Sequence, residues 1–268
     1  MGRWTEMEIE FYCLDVYRDM IPEPTPSFKE IPDWYRDTSN LKKTSKCPFA
    51  PVIEKPTPKQ NIKSCPAVFD YLSGGYIIKA WDNFLVRNVD GHMYVNWEKP
   101  CFQEGDPNKV FNTHQTWQQM DGMLDKSEPM YGGFHKLLSP WFVKTPPGVS
   151  LYYTNPSQYR DKRFTTVDGV IHPEESSIMI QWFFEWNTSL PENVDMESLD
   201  VDLHVIKKGT PLIMLFPFKR DTYKSKVNYI SEGDYKKYHK DKTLWYTHDW
   251  FGNSLYNQFR RKLGRLFR

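Results

Sequence analysis

The stretch WFVKTPPGVSLYYTNP, residues 141–156, decides the fold class. Runs of aromatic and β-branched residues lie on both sides of Pro146-Pro147-Gly148, and such runs are typical of β-strands. Successive proline and glycine residues interrupt regular structure and favour a turn. The stretch therefore predicts two consecutive strands of a core sheet joined by a tight turn, with part of their aromatic rings buried.

The sequence on either side of this stretch has the same β-rich character. Downstream, the runs FTTVDGVI, SSIMIQWFFEWN, VDLHVIKKG and PLIMLFPFKR are spaced as in an antiparallel sandwich or barrel. Upstream, residues 76–98 predict a hairpin turning near Asp90-Gly91, and Ser64 and Gly74 or Gly75 would bound a short helix. We predict a mainly β fold, a single jelly-roll or β-sandwich domain (cupin-like or barrel-like) with short helices.

Charge and proline content divide the chain into three parts. Residues 1–61 predict a strand followed by a proline-rich arm, residues 62–230 the β-rich core domain, and residues 231–268 a basic helical tail. From residue 219 to the end there are 13 Lys/Arg against 5 Asp/Glu, whereas the preceding residues hold 22 against 29. An acidic body with a basic tail favours an acidic partner or nucleic acid for the tail.

Several classes of protein are disfavoured by what the sequence lacks. There is no apolar run long enough for a membrane span, and the first twenty residues do not look like a secretory signal. The four cysteines contain no Cys-x-x-Cys pair, which disfavours a zinc knuckle. Gly-x-Ser-x-Gly, P-loop and Gly-x-Gly-x-x-Gly motifs are also missing from the sequence.

Several short motifs, in this order, resemble an uncharacterised family of bacteriophage and bacterial proteins, including some from phages of marine cyanobacteria. The motifs are IPDWY, IKSCP, GGYII, WFVKTPPGVSLYYTNP, DGVI and KKGTPLIMLFPFKRD, over roughly residues 28–224. The resemblance implies a phage or phage-related origin. We expect the protein to be in the host cytoplasm or the virion and not to be secreted. This chain has His172-Pro173 where the family has Asp-Thr, which would displace a carboxylate to Glu174 or Glu175, or remove it.

A metal-dependent enzyme of the oxygenase type is an alternative, because a jelly roll can present two histidines and a carboxylate to iron or zinc. The candidate ligands are His92, His114, His135 and Glu174, although none of these three histidines has an acid two residues later. No cofactor is predicted otherwise. The turn DGVIHPEE is also loosely similar to that of dUTPases and dCTP deaminases. However, His172 stands in place of their Asp and no Arg-Ser-Ser segment precedes it, so we do not favour that activity.

Binding through aromatic and basic side chains is the interpretation that we favour. Aromatic rings offer stacking platforms and basic groups bind phosphates or acidic partners. The candidates are Trp141, Tyr152, Tyr153, Trp186, Lys219, Arg220, Arg260, Arg261, Lys262 and Arg265. We therefore expect a non-enzymatic binding or structural protein acting through an aromatic β surface and a basic tail. A nucleic-acid-binding accessory protein is a second alternative, and a homo-oligomer is compatible with each.

Overall fold

The computed structural model describes residues 7–39, 61–89, 92–96, 111–112, 134–187 and 204–238. These residues are mainly β, which confirms the predicted fold class, and their helices are short. Two of these helices are α1 (Asp33–Arg36) and α2 (Pro66–Ser73). The strands are β1 (Glu10–Tyr12), β2 (Thr25–Pro26), β3 (Tyr76–Lys79), β4 (Phe84–Val89), β5 (His92–Asn96), β6 (Phe111–Asn112), β7 (Phe134–Lys144), β8 (Val149–Thr154), β9 (Phe164–Thr166), β10 (Gly169–Ile171), β11 (Ile178–Trp186), β12 (Val205–Ile206) and β13 (Pro211–Lys219).

The strands form three antiparallel sheets. The first sheet has the order β1-β7-β11-β9, with β6 also paired to β7. The second sheet has the order β10-β8-β13-β3-β2, and the third has the order β12-β4-β5. Side chains from all three sheets meet in one hydrophobic core, which is the arrangement expected of a sandwich.

The chain divides into two compact units, one made of Met1–Thr38 and Ile62–Arg220, the other of Ser39–Asn61 and Asp221–Arg268. All three sheets belong to the first unit. In the second unit, residues 221–230 have no regular secondary structure and residues 232–238 are helical. Ser231 caps this helix, since its Oγ accepts a hydrogen bond from the Asp234 N–H at 3.2 Å.

The two strands predicted over residues 141–156 are present, but they do not form a hairpin. β7 ends at Lys144 in the first sheet and β8 begins at Val149 in the second, so the proline turn carries the chain from one sheet to the other. Gly148 has a φ of +76°, a backbone conformation that glycine adopts without steric cost. Sequence patterns identify strands and turns but not the sheet that each strand joins.

The hairpin and the short helix predicted before residue 98 are each confirmed in part. The hairpin is formed by β4 and β5, whereas β3, predicted as part of it, belongs to the second sheet. The short helix is α2, with Pro66 at its start, but its N-cap residue is Cys65 instead of Ser64. Gly75 follows α2 with a φ of +72°, as a left-handed stop requires.

Strand β11 shows how the aromatic residues fill the core. Ile180, Trp182, Phe184 and Trp186 alternate with more exposed neighbours and are all buried. The Trp182 ring stacks on Phe184 with centroids 3.7 Å apart. Because alternate residues of a strand point to the same face, this side of β11 is one continuous aromatic layer.

Candidate binding surface

Strands β10, β8 and β13 lie side by side and present two different faces. Leu151, Tyr153 and Leu215 point towards the hydrophobic core or pack against it. Tyr152 and Phe216 alternate with them and point the other way, since side chains alternate along a strand. The register places Phe216 opposite Tyr152 on neighbouring strands. The sheet thus separates a core face from an outer face.

The outer face carries a contiguous group of apolar side chains, which we call the outer aromatic surface: Tyr152, Val170, Phe216 and Phe218. Val170 and Phe216 flank Tyr152 as its partners on β10 and β13. Directly opposed residues of antiparallel strands have Cβ atoms roughly 5 Å apart, so the three side chains form one row. Tyr152, Val170 and Phe218 are 36%, 49% and 39% exposed.

Hydrogen-bonding groups lie on both sides of this row, along the strand direction. On one side Asp168 accepts hydrogen bonds from the Tyr152 hydroxyl at 2.9 Å and from the Thr154 hydroxyl at 2.5 Å. On the other side the hydroxyl of the buried Ser150 and His172 Nδ1 are 2.6 Å apart. A short apolar row bordered by polar groups is the arrangement found in protein interaction sites.

The charge of Asp168 also acts on the two adjacent tyrosines. For Tyr152, a hydrogen bond with Thr154 lowers the hydroxyl pKa, but Asp168 raises it and the net change is upward. For Tyr153, burial and then the charge of Asp168 raise the hydroxyl pKa to about 12. Both hydroxyls are therefore protonated at neutral pH and act as hydrogen-bonding groups instead of bases.

Helix α2 supports the outer aromatic surface from one side. The Tyr71 ring of α2 stacks on Phe216 with centroids 5.6 Å apart. The Tyr71 hydroxyl lies 3.2 Å from Ser157 Oγ and donates to Gln158 Oε1 at 3.2 Å. Because Tyr71 is held at both its ring and its hydroxyl, Phe216 has a fixed neighbour before any ligand binds.

A second group of residues, which we call the turn cluster, consists of Gly148, Glu174 and Arg220. One Glu174 carboxylate oxygen accepts a hydrogen bond from the Gly148 N–H and the other pairs with the Arg220 guanidinium. The Arg220 N–H donates to the Gly148 carbonyl at 2.8 Å. Gly148 and Arg220 therefore bring together two of the motifs on which the family resemblance rests, and Glu174 lies three residues after a third, DGVI. In this arrangement Arg220 and Glu174 act on each other and fix two turns.

The predicted aromatic binding residues have different positions in the structure. Tyr152 lies on the outer aromatic surface, while Tyr153 packs against the core. Trp141 is partly buried and its Nε1 donates to the Pro22 carbonyl at 3.1 Å. Trp186 is only 4% exposed, so its ring is not available for stacking on a ligand, contrary to the prediction. Its strand alternation places it on the core side of β11.

The basic candidates are divided between the described and the undescribed residues. Lys219 is exposed at the end of β13, and Arg220, as above, is held in the turn cluster. The tail residues Arg260, Arg261, Lys262 and Arg265, like the rest of the predicted helical tail beyond residue 238, lie outside the described residues. Their predicted contacts with an acidic partner or nucleic acid stay predictions.

The two metal-ligand candidates whose side chains the structure describes, His135 and Glu174, are both engaged elsewhere and do not form a metal site. His135 is buried on β7 beside Phe184, with ring centroids 5.8 Å apart, and both Glu174 oxygens are occupied in the turn cluster. The His92 side chain and all of His114 lie outside what the structure describes. Among the described side chains, no three His, Cys, Asp or Glu residues converge as metal ligands.

Comparisons with known proteins add little to this geometry. No protein-family profile matches the chain, and no curated protein matches it. One similar solved structure is that of a mutant dUTPase from phage phi11 of S. aureus, at 14% identity and a TM-score of 0.31. The match covers 65% of this chain and 90% of that one. A similarity of this size supports no inference about activity. Within the described residues, no helix is long and apolar enough to cross a membrane.

Three members of the outer aromatic surface, Val170, Phe216 and Phe218, were not predicted from the sequence. The alternation of β13 is hidden because its first residues, Leu212–Leu215, are all buried. Val170 lies in a three-residue strand, too short to show a period of two. The signal that remains is the cross-strand register with Tyr152, which is a property of the folded sheet.

Proposed function

We propose that this protein is a non-enzymatic binding protein whose partner is another protein, bound at the outer aromatic surface. The observation that carries the proposal is the row formed by the exposed Tyr152 and Val170 and the partly buried Phe216 across three hydrogen-bonded strands. Such a rigid row loses little conformational freedom on binding, and interface centres are enriched in tyrosine and phenylalanine. The motif resemblance further leads us to propose that the protein is phage-encoded.

The chemistry of the surface favours a protein over a nucleic acid. The Asp168 carboxylate borders the surface, and residues 1–218 carry 22 basic against 29 acidic residues. A phosphate backbone would be repelled by this distribution, whereas a partner with apolar side chains and hydrogen-bond donors would complement it.

The test uses a displayed library of random peptides, selected on the immobilised full-length protein. We expect the selected peptides to bind Tyr152→Ala at least about thirtyfold more weakly, because a central aromatic residue contributes about 2 kcal/mol or more at a protein interface. The matched control is Tyr94→Ala, since Tyr94 is an exposed strand tyrosine of the third sheet. Peptides that bind both variants as tightly as the wild type would refute the proposal.

The metal-dependent alternative has a separate measurement. Purified full-length protein would be analysed for iron, zinc and manganese, before and after treatment with a chelator. Stoichiometric metal that is lost in His114→Ala would support an enzyme and count against a purely binding function. A metal content well below one equivalent per chain would count against the metal-dependent alternative.

A further inference from the structure

Residues 221–230 have the composition of a β-strand but do not form one. We call this segment the arm, and it is distinct from the proline-rich arm predicted within residues 1–61. Its sequence, DTYKSKVNYI, contains no glycine or proline and includes threonine, tyrosine, valine and isoleucine. All ten residues are exposed and none is in a helix or strand. Among the interactions of the described residues, no hydrogen bond involves this segment.

The arm exposes several large apolar side chains. Tyr223, Val227 and Tyr229 are 82%, 78% and 97% exposed. When the arm is extended these three residues point to one side, and Lys224 and Lys226 point to the other. An exposed strand-forming segment with unpaired backbone groups is a template for pairing with another chain.

Strand β1 offers a complementary surface. It pairs with β7 on one side and forms the edge of the first sheet. Exposed apolar side chains lie along this part of the chain: Met7, Tyr12, Leu14, Val16 and Met20. Beside β1 there is a groove of about 530 Å³ whose apolar lining includes Phe11, Ile21 and Trp141. Among the described strands none pairs with the outer side of β1, so this edge offers backbone groups for pairing beside a groove that can hold aromatic rings.

The charges of the two surfaces are opposite. Residues 7–24 contain five acidic residues and one arginine, and Glu8 and Glu10 lie at β1 itself. The arm contains Lys224 and Lys226, in the region of the chain with 13 basic and 5 acidic residues. At one edge of the second sheet, β2 contains Pro26, which cannot donate a backbone hydrogen bond.

We propose that the arm of one copy adds as a strand to the β1 edge of a second copy, and that the two copies exchange arms. Each chain carries both the basic arm and the acidic edge, so one symmetric dimer satisfies both pairings. The main-chain hydrogen bonds of the arm are then made between the copies. The tyrosines of the arm lie over the groove and its lysines face Glu8 and Glu10.

The experiment measures the mass of the full-length protein by light scattering during gel filtration. We expect wild type at twice the chain mass of 32.0 kDa. We expect Val227→Pro at the single-chain mass, because proline removes a donor and breaks strand pairing. Val227→Thr, which keeps the strand preference, is the matched control and stays dimeric. A monomeric wild type, or a dimer that Val227→Pro leaves intact, would overturn the proposal.

A charge exchange identifies the acceptor edge. We expect Lys224→Glu/Lys226→Glu and Glu8→Lys/Glu10→Lys each to be monomeric and unchanged in circular dichroism. Mixed in equal amounts, they are expected to form a heterodimer, because both pairings of opposite charge are then restored. If the mixture stays monomeric, the arm does not bind at β1 and the proposal is wrong. Tyr152→Ala is expected to dimerise like wild type, so this test is independent of the outer aromatic surface.

Discussion

Replacing Thr166 with valine removes a hydroxyl that joins two sheets inside the core. The Trp182 indole N–H donates to Thr166 Oγ1 at 3.0 Å, and this hydroxyl donates to the Leu212 carbonyl at 2.6 Å. Leu212 lies where the pairing of β13 with β3 shifts, which leaves its carbonyl available to β9. All three residues are at most 1% exposed.

The expected cost follows from the two polar groups that valine leaves without a partner. Each buried and unsatisfied group costs about 1–3 kcal/mol, and the added methyl group recovers part of this loss. We therefore expect Thr166→Val to lower the free energy of unfolding by about 2–4 kcal/mol. Thr166→Ser keeps the hydroxyl and is expected to cost only about 1 kcal/mol for the lost methyl group.

The assay is urea unfolding of the full-length variants, followed by tryptophan fluorescence. Thr165→Val is the matched control, because Thr165 is the neighbouring residue of β9 and its side chain is exposed. We expect the control to unfold within about 0.5 kcal/mol of wild type. Equal midpoints for the Thr166→Val and Thr165→Val variants would show that the hydroxyl relay does not stabilise the two sheets.

Two further predictions concern backbone strain and acid stability. Gly75→Ala should cost several kcal/mol and Gly148→Ala only about 1 kcal/mol in the same assay. Both residues have positive φ, but a Cβ at Gly75 would lie 2.0 Å from the Leu215 carbonyl oxygen while one at Gly148 meets nothing within 4 Å. The pKa of Asp161 is subject to burial, which raises it, but hydrogen bonds from Arg163 outweigh this and lower it. Its contribution to stability is therefore present above the ordinary aspartate pKa of about 3.9 and is lost as pH falls through the lower folded-state value. Unfolding at a series of pH values should show a smaller loss in acid for Asp161→Asn than for wild type, and equal losses would contradict the prediction.

The sequence predicted the elements of this fold better than their connections. The β-rich runs around residues 141–156 identify β7 and β8, because strand preference and proline turns are local properties. Their assignment to two sheets depends on contacts with β11 and β13, which are distant in sequence. For the same reason β3 was predicted in one hairpin with β4, although its partner is β13.

The sequence predicted that aromatic residues form the binding surface, but it did not predict which aromatic residues face outwards. Tyr152 and Trp186 were selected for the same reason, as aromatic residues of β-rich segments. The structure separates them, because the buried face of β11 carries Trp186 whereas Tyr152 points away from the core. Which face of a strand is buried depends on the layers packed against it, and a shift of one residue reverses the assignment.

The position of β13 has a consequence for how the chain is made. It lies between β3 and β8 in the second sheet, although the ribosome completes it after both. Until Pro211–Lys219 has emerged, β3 and β8 have no strand to join them, and Ile77, Ile78 and Leu151 remain without their cover. Folding of this sheet is thus delayed until β13 has been synthesised, since its pairings with β3 and β8 join segments that are distant in sequence. Nascent chains that end before β13 are those on which we expect chaperones to act most strongly.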